Sequence, residues 1–241
     1  MKFIPSILLF FFLLSFSSCS TKTVEPELPD ANPPAPVIPE EPIPEKEKML
    51  WFDAEANFER FASKDSISYY LEKAKSVGFN QVVVDVKPIY GEVLYKSKIL
   101  PPLTTVNGKV IHRDWDYLQY FINEARRLGL KVTVSTAMFP SGHPATREGL
   151  VYDESRWDGK TCLEYTPDGK MLDIREDKKK VGAFLNPVRK DVRKFALSIV
   201  REIVRNYDVD AYALDYCRYP GDDSDFSADS RKAFELSLIH I

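Results

Sequence analysis

Acidic side chains end three short apolar runs of this sequence. Asp215 follows DAYAL, Asp85 follows QVVV, and Asp53 and Glu55 follow MLWF. A carboxylate in an apolar setting is costly, so it is usually protonated, paired or used in chemistry. Two carboxyl groups without a metal suffice for glycoside hydrolysis, one as proton donor and the other as nucleophile or base. We take Asp215 and Asp85 as candidate catalytic residues and Asp53 and Glu55 as candidate substrate contacts.

The sequence predicts neither a metal site nor a cofactor. His112, His143 and His240 lack the paired spacing of a zinc site. The acidic segment 221–230 lacks the EF-hand spacing and suits a loop that caps a following helix. No glycine-rich fingerprint follows the first apolar run, which excludes a typical dinucleotide site.

The elements that position these acids follow from residue 49 onward, where apolar runs alternate with helical periodicity. Strands are predicted in MLWFDAE (49–55), QVVVDVKP (81–88), KVTVSTAMF (131–139) and DAYALDYCRYP (210–220). Helices are predicted in DSISYYLEKAKSVG (65–78), DWDYLQYFINEARRLG (114–129) and RKDVRKFALSIVREIVRNY (189–207). Asp65 is positioned to cap the first helix, and Gly78 and Gly129 end the first two.

This alternation predicts an α/β fold with a parallel sheet, either a barrel or an open doubly wound sheet. The loops after the strands are long and those after the helices are short, as in a TIM barrel. The longest loop, 140–185, contains TCLEYTPDGKMLDI, whose Pro-Asp-Gly turn predicts a hairpin. It could shape a substrate cleft over the barrel mouth or serve no function there.

Side-chain alternation along the strands assigns the polar residues to one face. Tyr212, Leu214 and Tyr216 are predicted on an apolar face under the helices. The opposite face is predicted to gather Asp53, Glu55, Asp85, Lys87, Ser135 and Asp215 at one mouth, and we include Lys87 among the substrate contacts. Four aromatic residues could stack on sugar rings, although packing would explain each one equally well: Trp51, Tyr90, Tyr95 and Trp157.

The beginning of the chain predicts export. Residues 1–19 have a Lys, a short apolar run and FSSC, which predict a signal peptide whose Cys19 receives a lipid; an ordinary signal peptide is the alternative. Residues 20–48 are rich in proline and acid and predict an extended, disordered tether. We expect an envelope protein anchored to the outer membrane.

Charge and cysteine content add two constraints. The formal net charge is −3, and the proline-rich tether accounts for it, so no basic field predicts a nucleic-acid partner. With Cys19 acylated, Cys162 and Cys217 remain, and the sequence leaves open whether they form a disulfide or two free thiols.

Three segments resemble the glycosyl-hydrolase-like (family-10-like) bacterial barrels. They are FNQVVVDVKPIYGEVLYKSKILPP, DWDYLQYFINEARRLGLKV and FLNPVRKDVRKFALSIVREIVRNYDVDAYALDYCRYP. The first includes an aromatic-X-Ser element at Tyr95 and Ser97. The resemblance implies a (β/α)8 barrel, export and a carbohydrate substrate, with Asp215 as the leading catalytic carboxylate. Tyr95 and Arg218 are the further substrate contacts that we predict.

Residues 49–241 contain about four βα units, whereas a TIM barrel has eight. We therefore expect a truncated barrel, the N-terminal half of a longer protein. On its own this chain should be inactive, and either unstable or self-associating. The intact protein is predicted to hydrolyse glycosidic bonds. The alternatives are a non-catalytic surface barrel that binds glycans and, less favoured, a structural envelope protein.

Overall fold

The computed structural model describes residues 46–238, and the predicted signal peptide, Cys19 and most of the tether lie outside them. The strands are β1 Met49–Phe52, β2 Gln81–Lys87, β3 Thr105–Val106, β4 Lys109–Val110, β5 Lys131–Ala137, β6 Leu163–Tyr165, β7 Met171–Asp173 and β8 Ala211–Asp215. The helices are α1 Lys64–Ser76, α2 Tyr117–Arg127, α3 Leu150–Asp153, α4 Lys190–Asn206 and α5 Ala228–Leu238. All four predicted strands and all three predicted helices are present, within three residues at each end except that the last strand, predicted over 210–220, ends at Asp215.

The main sheet is parallel and has the order β1-β2-β5-β8. This confirms the predicted α/β fold with a parallel sheet. Along the chain, each following strand is added at the same edge of the sheet, whereas the strand order of a doubly wound sheet reverses at a switch point. Asp85 of β2 lies opposite Ser135 of β5, which in turn lies opposite Ala213 of β8. The carboxyl ends of the strands therefore meet at one edge.

One face of the sheet is packed under the helices, as alternation predicts. Val84 and Val134 are fully buried there, as are Leu71 of α1, Leu118 of α2 and Ile203 of α4. Burying a side chain of this size contributes roughly 1.5–3 kcal/mol. The predicted cap of α1 was wrong, because the Ser63 hydroxyl, and not Asp65, accepts from the Ser66 N–H.

A bulge in β2 corrects the predicted position of Lys87. The register shifts between Asp85 and Lys87, so that Lys87 lies opposite Thr136. Thr136 belongs to the helix-covered face, and its hydroxyl contacts that of Tyr212. Lys87 is fully buried, and its ammonium group donates to the carbonyls of Ala137, at 2.5 Å, and Pro140, at 2.9 Å. A single extra residue in the strand thus removes Lys87 from the predicted polar face.

The insertion 140–185 contains the predicted hairpin, which is formed by β6 and β7. It is bonded to the segment that follows β8, since the Leu163 carbonyl accepts from Phe226 N–H at 3.0 Å. The Asp225 carboxylate accepts from Leu163 N–H at 2.6 Å. Lys180, at the end of the charged segment 175–180 that follows the hairpin, bonds the buried Glu164 at 2.8 Å. The insertion is therefore a fixed part of the fold.

Large apolar side chains remain exposed at both edges of the sheet and on the last helix. Trp51 of β1 is 48% exposed, Leu214 of β8 is 52% exposed, and Phe234 of α5 is 63% exposed. Within residues 46–238 no helix has the length and apolarity that crossing a membrane requires. Cys162 is buried, Cys217 is exposed, and both are free thiols.

Candidate active site

A cleft of about 440 Å³ lies at the carboxyl ends of β1, β2, β5 and β8. All four carboxylates that the sequence singles out line it, namely Asp53, Glu55, Asp85 and Asp215. The other lining residues come from the sheet, the loops after it and the β3–β4 turn: Trp51, Ala56, Pro88, Ile89, Asn107, Ala137, His143, Val181 and Tyr216. The structure thus brings together acids that are separated by up to about 160 positions in the chain.

Backbone N–H groups orient two of these carboxylates. Asp53 Oδ1 accepts from Ala56 N–H at 2.7 Å and so shapes the turn after β1. Asp215 Oδ1 accepts from the N–H of the next residue, Tyr216, at 2.8 Å. The Asp215 carbonyl accepts from Met138 N–H, also at 2.8 Å, which continues the pairing of β5 with β8 past the last strand residue. Asp215 is therefore fixed both through its backbone and through its side chain.

Asp85 is the carboxyl group whose protonation the fold alters most in this cleft. Burial raises its pKa to about 7, and the nearby charges of Asp53 and, more weakly, Asp215 act in the same direction. The backbone N–H groups of Ala54 and Lys87 oppose this shift. The cleft therefore holds one carboxyl group that is partly protonated near neutral pH beside further acidic side chains, and acid–base catalysis uses such differences between neighbouring carboxyl groups.

Glu55 shares this environment. Burial raises its pKa, and the charge of Asp53 adds to the effect. Burial is the main cause that raises the pKa of the Tyr90 phenol, and the charge of Glu55 adds to this effect. The Tyr90 side chain is 1% exposed and lies under the cleft wall. One wall of the cleft is therefore acidic and partly desolvated.

His143 lines the same cleft, and the sequence did not predict it as a site residue. Its ring stacks on that of Tyr90 at 5.8 Å between centroids and 17° between planes. Its Nδ1 lies 3.1 Å from the Thr146 hydroxyl, which donates to Glu148 at 2.9 Å. This chain of contacts connects the imidazole with a carboxylate. Only the fold of the insertion brings His143 to the cleft.

Tyr216 corrects a second prediction from alternation. It was predicted on the helix-covered face with Tyr212 and Leu214, but it lines the cleft. Its backbone has φ of +45°, the left-handed conformation, which ends the regular alternation directly after Asp215. Its ring contacts Phe184 of the insertion edge-on, at 5.8 Å between centroids. Tyr216 therefore joins the strand end to the insertion.

A family model described as glycosyl hydrolase-like 10 matches residues 48–232, which cover the whole sheet and the cleft. The chain belongs to this glycosyl hydrolase-like family. An S-layer-related protein of Niallia circulans is 34% identical over 200 residues, which are 80% of this chain and 12% of that protein. The glycosyl hydrolase DigH of Escherichia coli K12 is 30% identical over 159 residues, which are 63% of this chain and 34% of that protein.

The chain therefore spans only about one eighth and one third of these two curated relatives. Among solved structures, α-L-fucosidase isoenzyme 2 of Paenibacillus thiaminolyticus is similar, with a TM-score of 0.53 at 17% identity. That similarity covers 80% of this chain and 26% of the fucosidase chain. At this identity the likeness concerns the fold alone. The family match thus supports a glycan-related function for this chain.

The aromatic-X-Ser element that resembles the glycosyl hydrolase-like family lies away from the cleft. Tyr95 is 4% exposed, and its hydroxyl donates to Glu202 of α4 at 3.0 Å. The Ser97 hydroxyl donates to the same carboxylate at 2.6 Å. In the structure these residues attach the loop after β2 to a helix. Trp157 is buried against Phe195, at 4.6 Å between ring centroids.

The remaining predicted contacts divide between the cleft and its surroundings. Trp51 lines the cleft and is 48% exposed. Arg218 is exposed beside it, with its guanidinium over the ring of Tyr216 and one N–H donating to the Tyr219 carbonyl at 3.0 Å. Lys87 lies beneath the cleft, where burial lowers its pKa to about 7 while the charge of Asp85 opposes the shift. In residues 46–238 no group of three or more His, Cys, Asp or Glu has the arrangement of a metal site.

Proposed function

We propose that this chain carries part of the active site of an exported glycoside hydrolase. The observation that supports it most directly is that Asp85, whose pKa burial raises to about 7, lines one cleft with Asp215, so that Asp85 can carry a proton near neutral pH. Asp85 would donate this proton to the glycosidic oxygen as the bond to the leaving sugar breaks. Asp215 would attack the anomeric carbon or activate the water that does so. Asp53 and Glu55 would bind sugar hydroxyls.

We further propose that the four strands are the first half of a (β/α)8 barrel, completed by further sequence. The sequential order of the strands supports this, because a TIM barrel adds its strands in the same way. The exposed apolar side chains at both sheet edges, Trp51 and Leu214, are those that further strands and helices would cover. On this proposal, residues 1–241 alone would be inactive.

The proposal includes anchoring in the bacterial envelope. Cys19 would carry a lipid in the outer membrane, and residues 20–48 would act as a disordered tether for the barrel. Metabolic labelling with a palmitate analogue tests this directly. The wild-type protein should incorporate the label, and Cys19→Ala should not. Equal labelling of both would contradict a lipid on Cys19.

The catalytic proposal is tested on the full-length protein with a panel of neutral and acidic polysaccharides. Asp215→Asn should reduce the release of reducing ends by at least ~10³-fold, since it removes the nucleophile or base, and Asp85→Asn by ~10²–10⁴-fold. The control is Asp222→Asn, an exposed acid in the loop after β8 that does not line the cleft. Activity in Asp215→Asn equal to that of the control would refute the proposal.

A non-catalytic glycan-binding surface barrel is the second candidate function. It is favoured by the S-layer-related relative, which is 34% identical to this chain over 200 residues. The same variants distinguish the two. A parent that binds glycan strands without cleaving any of them, and keeps this binding in Asp215→Asn, would support the binding protein.

A further inference from the structure

A second cavity, of about 350 Å³, lies between the loop after β2 and the segment that leads into α2. We refer to it as the basic pocket. It shares no lining residue with the carboxylate cleft. Its lining residues are Val93, Leu94, Tyr95, Lys96, Ser97, Leu100, Pro102, Leu103, Thr104, His112, Arg113 and Trp115. Leucine, valine, proline and aromatic residues thus form its walls, with a few polar groups among them, as in ligand sites in general.

The ionisable side chains that line this pocket are all basic. Lys96, His112 and Arg113 line it, and the lining contains no carboxylate. None of these three residues forms an ion pair with a described residue, although the described part of the chain contains seventeen ion pairs. The formal charge of the whole chain is −3, so a cavity whose ionisable lining residues are all basic differs in charge from the chain as a whole.

Arg113 is the most constrained of the three bases. Its Nη2 donates to the carbonyls of Phe58 and Phe61 at 3.3 and 3.2 Å, and the guanidinium lies over the rings of Phe58 and Tyr117. Its Nε and Nη1 are buried and have no hydrogen-bond partner among the described residues. Burial lowers the pKa of this guanidinium. An arginine keeps its charge even so, and this charge has no counterion here.

The acids next to the pocket do not serve as counterions. The Glu202 carboxylate accepts three hydrogen bonds, from Tyr95, Ser97 and the Lys98 N–H. Asp116 accepts from the Tyr207 hydroxyl at 2.7 Å and from the Gln119 N–H at 3.0 Å. Both acids are thus engaged behind or beside the pocket wall, and the pocket itself retains its positive charge.

We propose that the basic pocket binds a carboxylate-bearing sugar unit of an acidic glycan. The carboxylate would bind Lys96 and His112 and be attracted by the fixed charge of Arg113. The sugar body would lie against the apolar wall at Leu100 and Trp115. The glycan part of this inference rests on the proposed function, whereas the preference for an anion rests on the pocket alone. The pocket would then hold a glycan at a second point, outside the carboxylate cleft.

Calorimetric titration of the full-length protein with trigalacturonate, maltotriose and tripolyphosphate tests this proposal. We expect trigalacturonate to bind, with an affinity that falls as salt is added, and the neutral maltotriose to bind at least tenfold more weakly. Lys96→Gln should weaken trigalacturonate binding about five- to tenfold. The matched control is Lys98→Gln, an exposed lysine two residues away whose side chain does not line the pocket. It should bind as the wild type does.

Three outcomes would overturn the inference. Equal weakening by Lys96→Gln and Lys98→Gln would indicate unspecific attraction to the surface. Equal affinity for maltotriose would remove the role of charge, and equal affinity for tripolyphosphate would remove the role of the sugar. Binding of trigalacturonate does not require hydrolysis. A full-length protein that binds it through Lys96 without any hydrolase activity therefore retains this inference and refutes only the proposed function.

Discussion

The hydroxyl of Ser97 donates a 2.6 Å hydrogen bond to the Glu202 carboxylate and so fastens the loop after β2 to α4. The Tyr95 hydroxyl and the Lys98 N–H bond the same carboxylate, at 3.0 and 2.7 Å. One side chain therefore accepts three hydrogen bonds from one loop. Because the basic pocket is formed by this loop, its shape depends on Glu202.

Glu202→Gln should lower the free energy of unfolding by about 1–3 kcal/mol, because the amide replaces a charged acceptor of three hydrogen bonds and brings an unmatched donor. Urea denaturation of the purified chain measures this change. Glu72→Gln is the control, since its ion pair with Arg127 is exposed and screened by solvent and should contribute little to stability. Equal losses in the two variants would contradict a special role for Glu202.

Asp85→Asn should stabilise the chain at pH 8 but not at pH 4. The pKa of Asp85 is raised from 3.8 to about 7. Between about pH 4 and pH 7 the folded state therefore holds a proton on Asp85 that the unfolded state has released. Stability due to this group is therefore lost as the pH rises from about 4 to about 7. We expect the variant to exceed the parent by about 1–3 kcal/mol at pH 8. Urea denaturation at several pH values measures the difference, and a constant difference would contradict the raised pKa.

Gly149→Ala should destabilise the fold by about 3 kcal/mol or more. Gly149 has φ of +103°, and an added Cβ would lie 2.4 Å from the Tyr90 carbonyl oxygen. Gly159→Ala is a matched control, because Gly159 has φ of +68° with nothing within 4 Å of the added atom. It should lose only the conformational cost of about 1–2 kcal/mol. Thermal unfolding measures both variants. Similar losses in the two variants would contradict the prediction, because they would show that the loop carrying His143 can move away from Tyr90.

Lys87→Met should lower stability by about 3 kcal/mol and raise the pKa of Asp85 further. The substitution removes the donor to the Ala137 and Pro140 carbonyls and the positive charge near Asp85. Urea denaturation gives the first effect, and the carboxyl chemical shift of Asp85 against pH gives the second. Lys178→Met, at an exposed position, is the control. An unchanged Asp85 titration would contradict the coupling.

The parallel sheet was predictable because its signals are local. Apolar runs and helical spacing identified every strand and helix of the sheet region, and alternation put Asp53, Asp85 and Asp215 at one edge. Asp53 directly follows β1, Asp85 lies in the regular part of β2 before the bulge, and Asp215 ends β8, so the direction of each side chain follows from its strand. This is why the carboxylate cleft agrees with an expectation made from sequence.

The errors lie where regular structure is interrupted. The bulge between Asp85 and Lys87 and the left-handed backbone of Tyr216 each reverse a predicted face. Neither carries a clear signal in a single sequence. His143 and Tyr95 lie in long loops, whose paths depend on distant contacts such as those with Tyr90 and Glu202. The sequence contains these residues but not their neighbours in space.

The bonds between the β6–β7 hairpin and the segment after β8 set the order in which these parts of the chain can become fixed during folding. Leu163 is paired with Asp225 and Phe226, about 60 residues later in the chain. The first three strands of the sheet pair with one another, whereas the hairpin is held by residues that follow β8. We therefore expect the hairpin to become fixed only after β8 and the loop that follows it are in place.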